Sequence, residues 1–122
     1  MKTLTCSLPE WRLVGGETQS RIFTLYQKSG ELCNLSNATA DFAVVEFVNP
    51  YTLPLIQKSV AVSASTTGEY SEVIIDLSVT DTIDMHGKYI YQVTVKDDAG
   101  NVSIPYHGIM YVYRNIDKSF IM

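Results

Sequence analysis

Apolar and polar residues alternate with a period of two between Lys88 and Lys96. Tyr89, Tyr91, Val93 and Val95 fall on one face, and Lys88, Gln92, Thr94 and Lys96 on the other, with Ile90 the one break on the polar side. That period belongs to a strand with one buried face. Asp97-Asp98-Ala99-Gly100-Asn101 follows, a run of residues suited to tight turns. The apolar series resumes as Val102, Ile104, Tyr106, Met110 and Val112, alternating with Ser103, Pro105, His107 and Tyr111. Two strands around a short Gly-containing loop predict a β-hairpin. Pro105 has no N–H to give a ladder, so it points to an edge or a bulge. Gly108 in mid-strand points to a bulge or a close backbone approach.

Further upstream, Val73, Ile75, Leu77 and Val79 alternate with Glu72, Asp76 and Ser78, with Ile74 out of phase. This predicts another strand. Pro54 to Ala64 reads as a strand through Ile56, Val60 and Val62, and Ser63 to Gly68 as a turn. Ala38 to Val48 is a long apolar run whose phase shifts between Val44 and Val45, which predicts a bulge or burial on both faces. Arg21 to Gln27 predicts a strand with Phe23 and Leu25 on one side, and Lys28-Ser29-Gly30-Glu31 a turn. A strand is expected around Thr3 to Leu8, ended by Pro9, with a flexible joint at Gly15-Gly16. Trp11 is either an exposed contact or a cover over the end of the fold. No segment shows sustained helical spacing with caps. About seven strands at intervals of roughly ten residues predict one all-β domain over residues 1–122, an immunoglobulin-like antiparallel sandwich. Residues 1–16 are expected to form an N-terminal strand or arm and 117–122 a C-terminal tail.

Composition agrees with a packed domain. Of 122 residues, 46% are hydrophobic and 18% charged, the reverse of a disordered chain. Eight tyrosines with many Val, Ile and Thr suit pleated strands. The net charge is −4 and the nine basic residues are scattered, so nucleic acid is not an expected partner. No window approaches the ~18 apolar residues of a membrane-spanning helix, and no membrane partner is expected. Cys6 and Cys33 can form one disulfide, but their spacing is no recognisable framework, and two reduced thiols are expected.

Asp84-Met85-His86-Gly87-Lys88-Tyr89 precedes the strongest strand. In an immunoglobulin sandwich, a tyrosine near the start of the sixth strand bonds through its hydroxyl to the backbone of the preceding connection. Asp84, Gly87 and Tyr89 fit such a corner with one extra loop residue. Tyr91 then takes the place of the second core cysteine of antibody domains. The plainer alternative is two ordinary strand tyrosines.

Little here suggests reaction chemistry. His86 and His107, the only histidines, have no second ligand at a metal spacing. There is no Gly-x-Ser-x-Gly elbow and no phosphate loop. Asp97, Asp98 and Asn101 can be read as calcium ligands or as a solvated hairpin tip. Neither an enzyme nor a cofactor is expected. Pro105, Gly108, Phe120 and Ile121 are the candidate interface residues, the last two on an apolar tail that either docks or frays.

Leu32-Cys33-Asn34-Leu35-Ser36-Asn37-Ala38-Thr39-Ala40-Asp41-Phe42 follows the turn Lys28-Ser29-Gly30. It resembles a segment in the N-terminal immunoglobulin-like domain of phage baseplate upper proteins. Gly87-Lys88-Tyr89-Ile90-Tyr91-Gln92-Val93, the turn Asp98-Ala99-Gly100-Asn101 and the closing Tyr111-Val112-Tyr113 are similar to the end of that domain. The resemblance covers roughly residues 17–116. Asn34 stands where the family often has Asp, and Asn37 where it often has Gly. The resemblance implies a structural domain of the virion tail baseplate, made in the bacterial host cytoplasm. Its implied partners are other tail proteins or copies of itself. The rival expectation is an immunoglobulin-like module that binds carbohydrate or protein at a bacterial surface.

Overall fold

A computed structural model of the chain describes residues 10–25, 37–64 and 70–121. Of these, 57% lie in strands and 8% in helix, and two sheets pack as a sandwich. The strands are β1 (Trp11–Val14), β2 (Gln19–Thr24), β3 (Thr39–Glu46), β4 (Ile56–Ala61), β5 (Ser63–Ala64), β6 (Ser71–Leu77), β7 (Gly87–Lys96) and β8 (Val102–Tyr113). Single-turn helices α1 (Val79–Thr82) and α2 (Lys118–Ile121) interrupt the pattern. One sheet runs β1-β8-β7-β3-β4 and the other β2-β6-β5. All pairings are antiparallel except β1 with β8, which is parallel.

Alternation places the core. Phe42, Val44, Tyr91, Val93, Met110 and Trp11 face inward from the larger sheet, and Phe23, Val73 and Ile75 from the smaller. Rings dominate the centre. Trp11 lies 5.7 Å from both Phe42 and Tyr91 and 6.2 Å from Phe23, centroid to centroid. Edge-to-face packing of this kind adds to the burial of large apolar area. Two polar tips tie the sheets together. Trp11 Nε1 donates to Gln19 Oε1 at 2.9 Å, and the Tyr106 hydroxyl donates to the Thr24 carbonyl. Trp11 is therefore neither an exposed contact nor an end cover; it is the middle of the core, 1% exposed.

Several expectations need correction. Val79 does not extend β6. Ser78 N–H donates to Asp81 Oδ2 at 2.7 Å, a reciprocal start signal that turns the chain into α1. The phase shift at Val44–Val45 marks no bulge: β3 pairs with β7 without a break, and Val45 is simply an apolar residue on the outer face. Ser63–Ala64, where the expected strand Pro54–Ala64 and the expected turn Ser63–Gly68 overlap, forms a separate strand, β5, in the second sheet. Gly15-Gly16 is no flexible joint. Gly15 N–H donates to Tyr113 O and Gly16 N–H to Thr82 Oγ1, at 2.8 and 2.9 Å, and both glycines are buried.

Pro105 does sit at an irregularity. The β7–β8 register shifts between Val93 and Val95, so Ile104 and Pro105 together face one residue of β7. A bulge of this kind spares a ladder the missing N–H. It also reverses the phase, which leaves Val102 and Ile104 exposed rather than on the core face with Tyr106. Gly108 is a close approach, since a Cβ there would lie 2.9 Å from Tyr91 Cε2 and Oη. The expected edge is half right. β1 covers β8 from Met110 to Tyr113, while among the described residues no strand lies outside Val102–Ile109. The expected strand at Thr3–Leu8, the turn at Lys28–Glu31, both cysteines and the first part of the Leu32–Phe42 segment, residues 32–36, lie outside the described residues.

Candidate interaction surface

At the corner before β7, Gly87 adopts φ 110, a region where a side chain strains the backbone. It turns the chain so that Tyr89 enters the core, 8% exposed. The Tyr89 hydroxyl accepts the His86 N–H and donates to the His86 carbonyl, both at 3.0 Å. Asp84 is not part of that bond network. It is exposed and pairs with Lys118 Nζ at 3.1 Å, which pins α2 to this end of the sandwich.

The four candidate interface residues do not form one patch. Pro105 and Gly108 lie along β8, and Gly108 faces the core. Phe120 and Ile121 are on α2, beyond the far end of β8, with Ile121 Cδ1 close to Gly16 and Phe120 87% exposed. The hairpin tip is not arranged for calcium either. The Asp97 carboxylate accepts from the backbone N–H groups of Asn101 and Ala99 and from Asn101 Nδ2, at 2.8, 3.0 and 3.2 Å. These bonds, that from the Asn101 backbone foremost, hold its carboxyl below the usual range. Among the described residues no three metal-ligating side chains gather, and no helix is long and apolar enough to cross a membrane.

The surface that stands out is the outer face of the five-stranded sheet. Its residues meet in rows that cross the strands. Phe47, Lys88, Tyr111 and Arg12 make the first row, since Lys88 pairs with Tyr111 and Tyr111 with Arg12, and Phe47 N–H donates to Lys88 O. Lys88 Nζ lies 4.0 Å from the Phe47 ring centroid, and Arg12 Cζ 4.8 Å from that of Tyr111. Val45, Ile90 and Ile109 are direct cross-strand partners in the second row, an apolar line over three strands. Ala43, Gln92 and His107 form the third. The connection from β3 to β4 turns back over this face. Its Pro50 helps to line a shallow cavity of about 290 Å³ with Ala43, Val45, Ile90, Gln92 and His107.

The same connection is apolar and exposed. Val48, Tyr51 and Leu53 are 90%, 95% and 87% exposed. Residues 47–55 carry no charge. A solvated antiparallel face normally carries polar residues. Half-buried apolar side chains on the sheet face, Val45, Ile90 and Ile109, together with the exposed ones of the adjoining loop, are a combination of the kind that marks interaction sites. By comparison, the outer face of the smaller sheet is mixed: Ile22 pairs with Ile74, flanked by Ser20, Asp76, Thr24 and Glu72.

The pattern signal for this surface was present. Ile90 and Val45 are the two residues that break the alternation of their strands, and they are direct neighbours across β7 and β3. Nothing local links them, because the register that joins them spans 45 residues of chain. The amino-acid sequence matches no protein-family model, no curated protein and no solved structure.

Proposed function

We propose that this chain is a non-enzymatic assembly module of a phage tail baseplate, acting in the virion through protein–protein contacts. The observation that carries the assembly reading is the apolar outer face of the five-stranded sheet with its uncharged, exposed β3–β4 connection. Apolar surface of that kind gains most from a partner that removes it from water.

The immunoglobulin-like reading of the sandwich is drawn from three features. The last strand is flanked in parallel by β1, and the second sheet is β2-β6-β5. Phe23 and Tyr91 face each other between the sheets at 6.0 Å, in the place where antibody domains bridge cysteines. The Tyr89 hydroxyl closes a corner two residues before Tyr91. Asn37, which stands where the baseplate family often has Gly, has φ 61, a conformation that Gly and Asn adopt with least strain. That supports the resemblance at this turn.

The surface carbohydrate-binding alternative is less well served. Sugar stacking needs bare ring faces; on the sheet face Phe47 and Tyr111 already hold cations, which leaves the exposed Tyr51 of the β3–β4 connection to carry that reading. Co-expression with the neighbouring reading frames, followed by size-exclusion chromatography, tests the proposal. A co-eluting complex lost on Ile90→Lys is the expected result. Elution of the wild-type chain apart from every neighbour, with a sugar-dependent thermal shift, would favour the surface-binding module.

A further inference from the structure

Charge on the outer face is arranged end to end. Lys88 stands in the first row, over the rings of Phe47 and Tyr111, and among the described residues meets no carboxylate. Asp41 stands on the neighbouring strand, opposite Thr94, one row beyond Gln92. Its carboxylate accepts from Gln57 Nε2 and Ser59 Oγ, at 3.1 and 2.7 Å, and among the described residues pairs with no cation. The six residues from the first row to Asp41 span about 20 Å of strand. Between the two charges lie the apolar row Val45–Ile90–Ile109 and the shallow cavity.

We infer that the occupant of this face is a second copy of the same chain, docked face to face about a two-fold axis. The inference deepens the assembly reading and rests on it. An axis lying in the interface and crossing the strands between Ile90 and Gln92 sets Lys88 of one copy against Asp41 of the other, twice. It also sets the apolar row of each copy against the cavity row Ala43–Gln92–His107 of its partner. An isologous contact needs such a self-complementary patch. Lys88 and Asp41 lie one strand spacing apart over that length, so bringing them together tilts the two sheets by roughly 25–30°, the angle that aligned sheets adopt.

Size sets the expected strength. Three to four strands at ~4.8 Å and four rows of side chains at ~6.7 Å give about 450 Å² per copy, or roughly 900 Å² for both. That is the low end for a specific interface, where weak and transient contacts lie. The dimer should therefore form in a concentration-dependent way rather than persist on dilution.

Sedimentation velocity on the full chain from about 1 to 300 μM tests this, with circular dichroism confirming the fold of each variant. A reversible monomer–dimer equilibrium is expected. Lys88→Glu and Asp41→Lys alone should each weaken it at least tenfold, and the double exchange should restore it to within about threefold, since it re-forms both pairs with reversed sign. Asp41 also bonds to β4, so a second arm leaves both charges in place. Gln92→Cys, made with Cys6→Ser and Cys33→Ser, should cross-link through a short bis-maleimide as a dimer, while Ser20→Cys on the opposite sheet should not. A chain that stays monomeric throughout, or a double exchange that restores nothing, overturns the inference. If such a monomer still co-elutes with a neighbouring gene product and loses it on Ile90→Lys, the assembly reading stands and only the second copy fails.

Discussion

Replacing Gly108 with alanine tests the packing of the core against β8. An ideal Cβ at this position lies 2.9 Å from Tyr91 Cε2 and Oη and 3.0 Å from Cζ. Ordinary carbon contacts begin near ~3.5 Å, so ring or strand must shift by roughly half an ångström. The ring has little room. Tyr91 is 1% exposed and is held by Trp11 at 5.7 Å, Phe23 at 6.0 Å and Phe42 at 6.2 Å. Overpacking a tight core costs about 1–3 kcal/mol. Alanine regains about 0.5–1 kcal/mol because glycine loses more backbone freedom on folding. The net is a destabilisation of roughly 0.5–2 kcal/mol, or a Tm lower by about 2–8 °C for a chain of this length. Thermal denaturation followed by circular dichroism reads this directly. The same change in a Tyr91→Leu background should be neutral or stabilising, because the clashing ring is gone. A Gly108→Ala Tm equal to or above wild type would refute the close approach.

Three further outcomes follow from the same geometry. Tyr89→Phe removes the hydroxyl that satisfies both backbone groups of His86 and should cost about 1–2 kcal/mol; Tyr113→Phe, which loses only an exposed bond from Arg12, should leave the Tm within about 1–2 °C. Trp11→Ala should cost about 3–5 kcal/mol, measured by urea denaturation, because it empties the centre of the ring cluster. Burial tends to raise the Asp81 carboxyl, but bonds from the Ser78 backbone and from Lys58 outweigh it and hold the carboxyl below its usual range. A depressed folded value means stability that is present above the unfolded value near ~3.9 and is lost as pH falls through the folded one, so Asp81→Asn should flatten that part of the Tm–pH curve.

Strands with one clean buried face were legible in the chain. Tyr89 to Val95 and Val73 to Leu77 announce themselves because each side chain alone reports its face. Legibility failed where a long-range partner decided the outcome. Trp11 carries no local sign of which way it points; it is buried because β1 pairs in parallel with a strand 99 residues further on. The bulge at Ile104–Pro105 was signalled by proline, but its reversal of the phase of Val102 and Ile104 depends on the register against β7. Val79 looked like one more strand residue, since the start of a four-residue helix rests on Ser78 and Asp81 alone. The interaction surface is the most instructive case. Its residues appear along the chain as separate faults in alternation, and only pairing assembles Val45, Ile90 and Ile109 into one row.

The central claim is that the chain is a structural part of an assembled tail, held through the outer face of its larger sheet. Quantitative mass spectrometry of purified particles, from cells making either the wild-type chain or Ile90→Lys at equal levels, tests it most directly. The account predicts that the wild-type chain is present at a fixed ratio to the other tail proteins. It also predicts that the variant, still β-rich by circular dichroism, is depleted at least tenfold. Absence of the wild-type chain from the particles, or equal incorporation of Ile90→Lys, would contradict it.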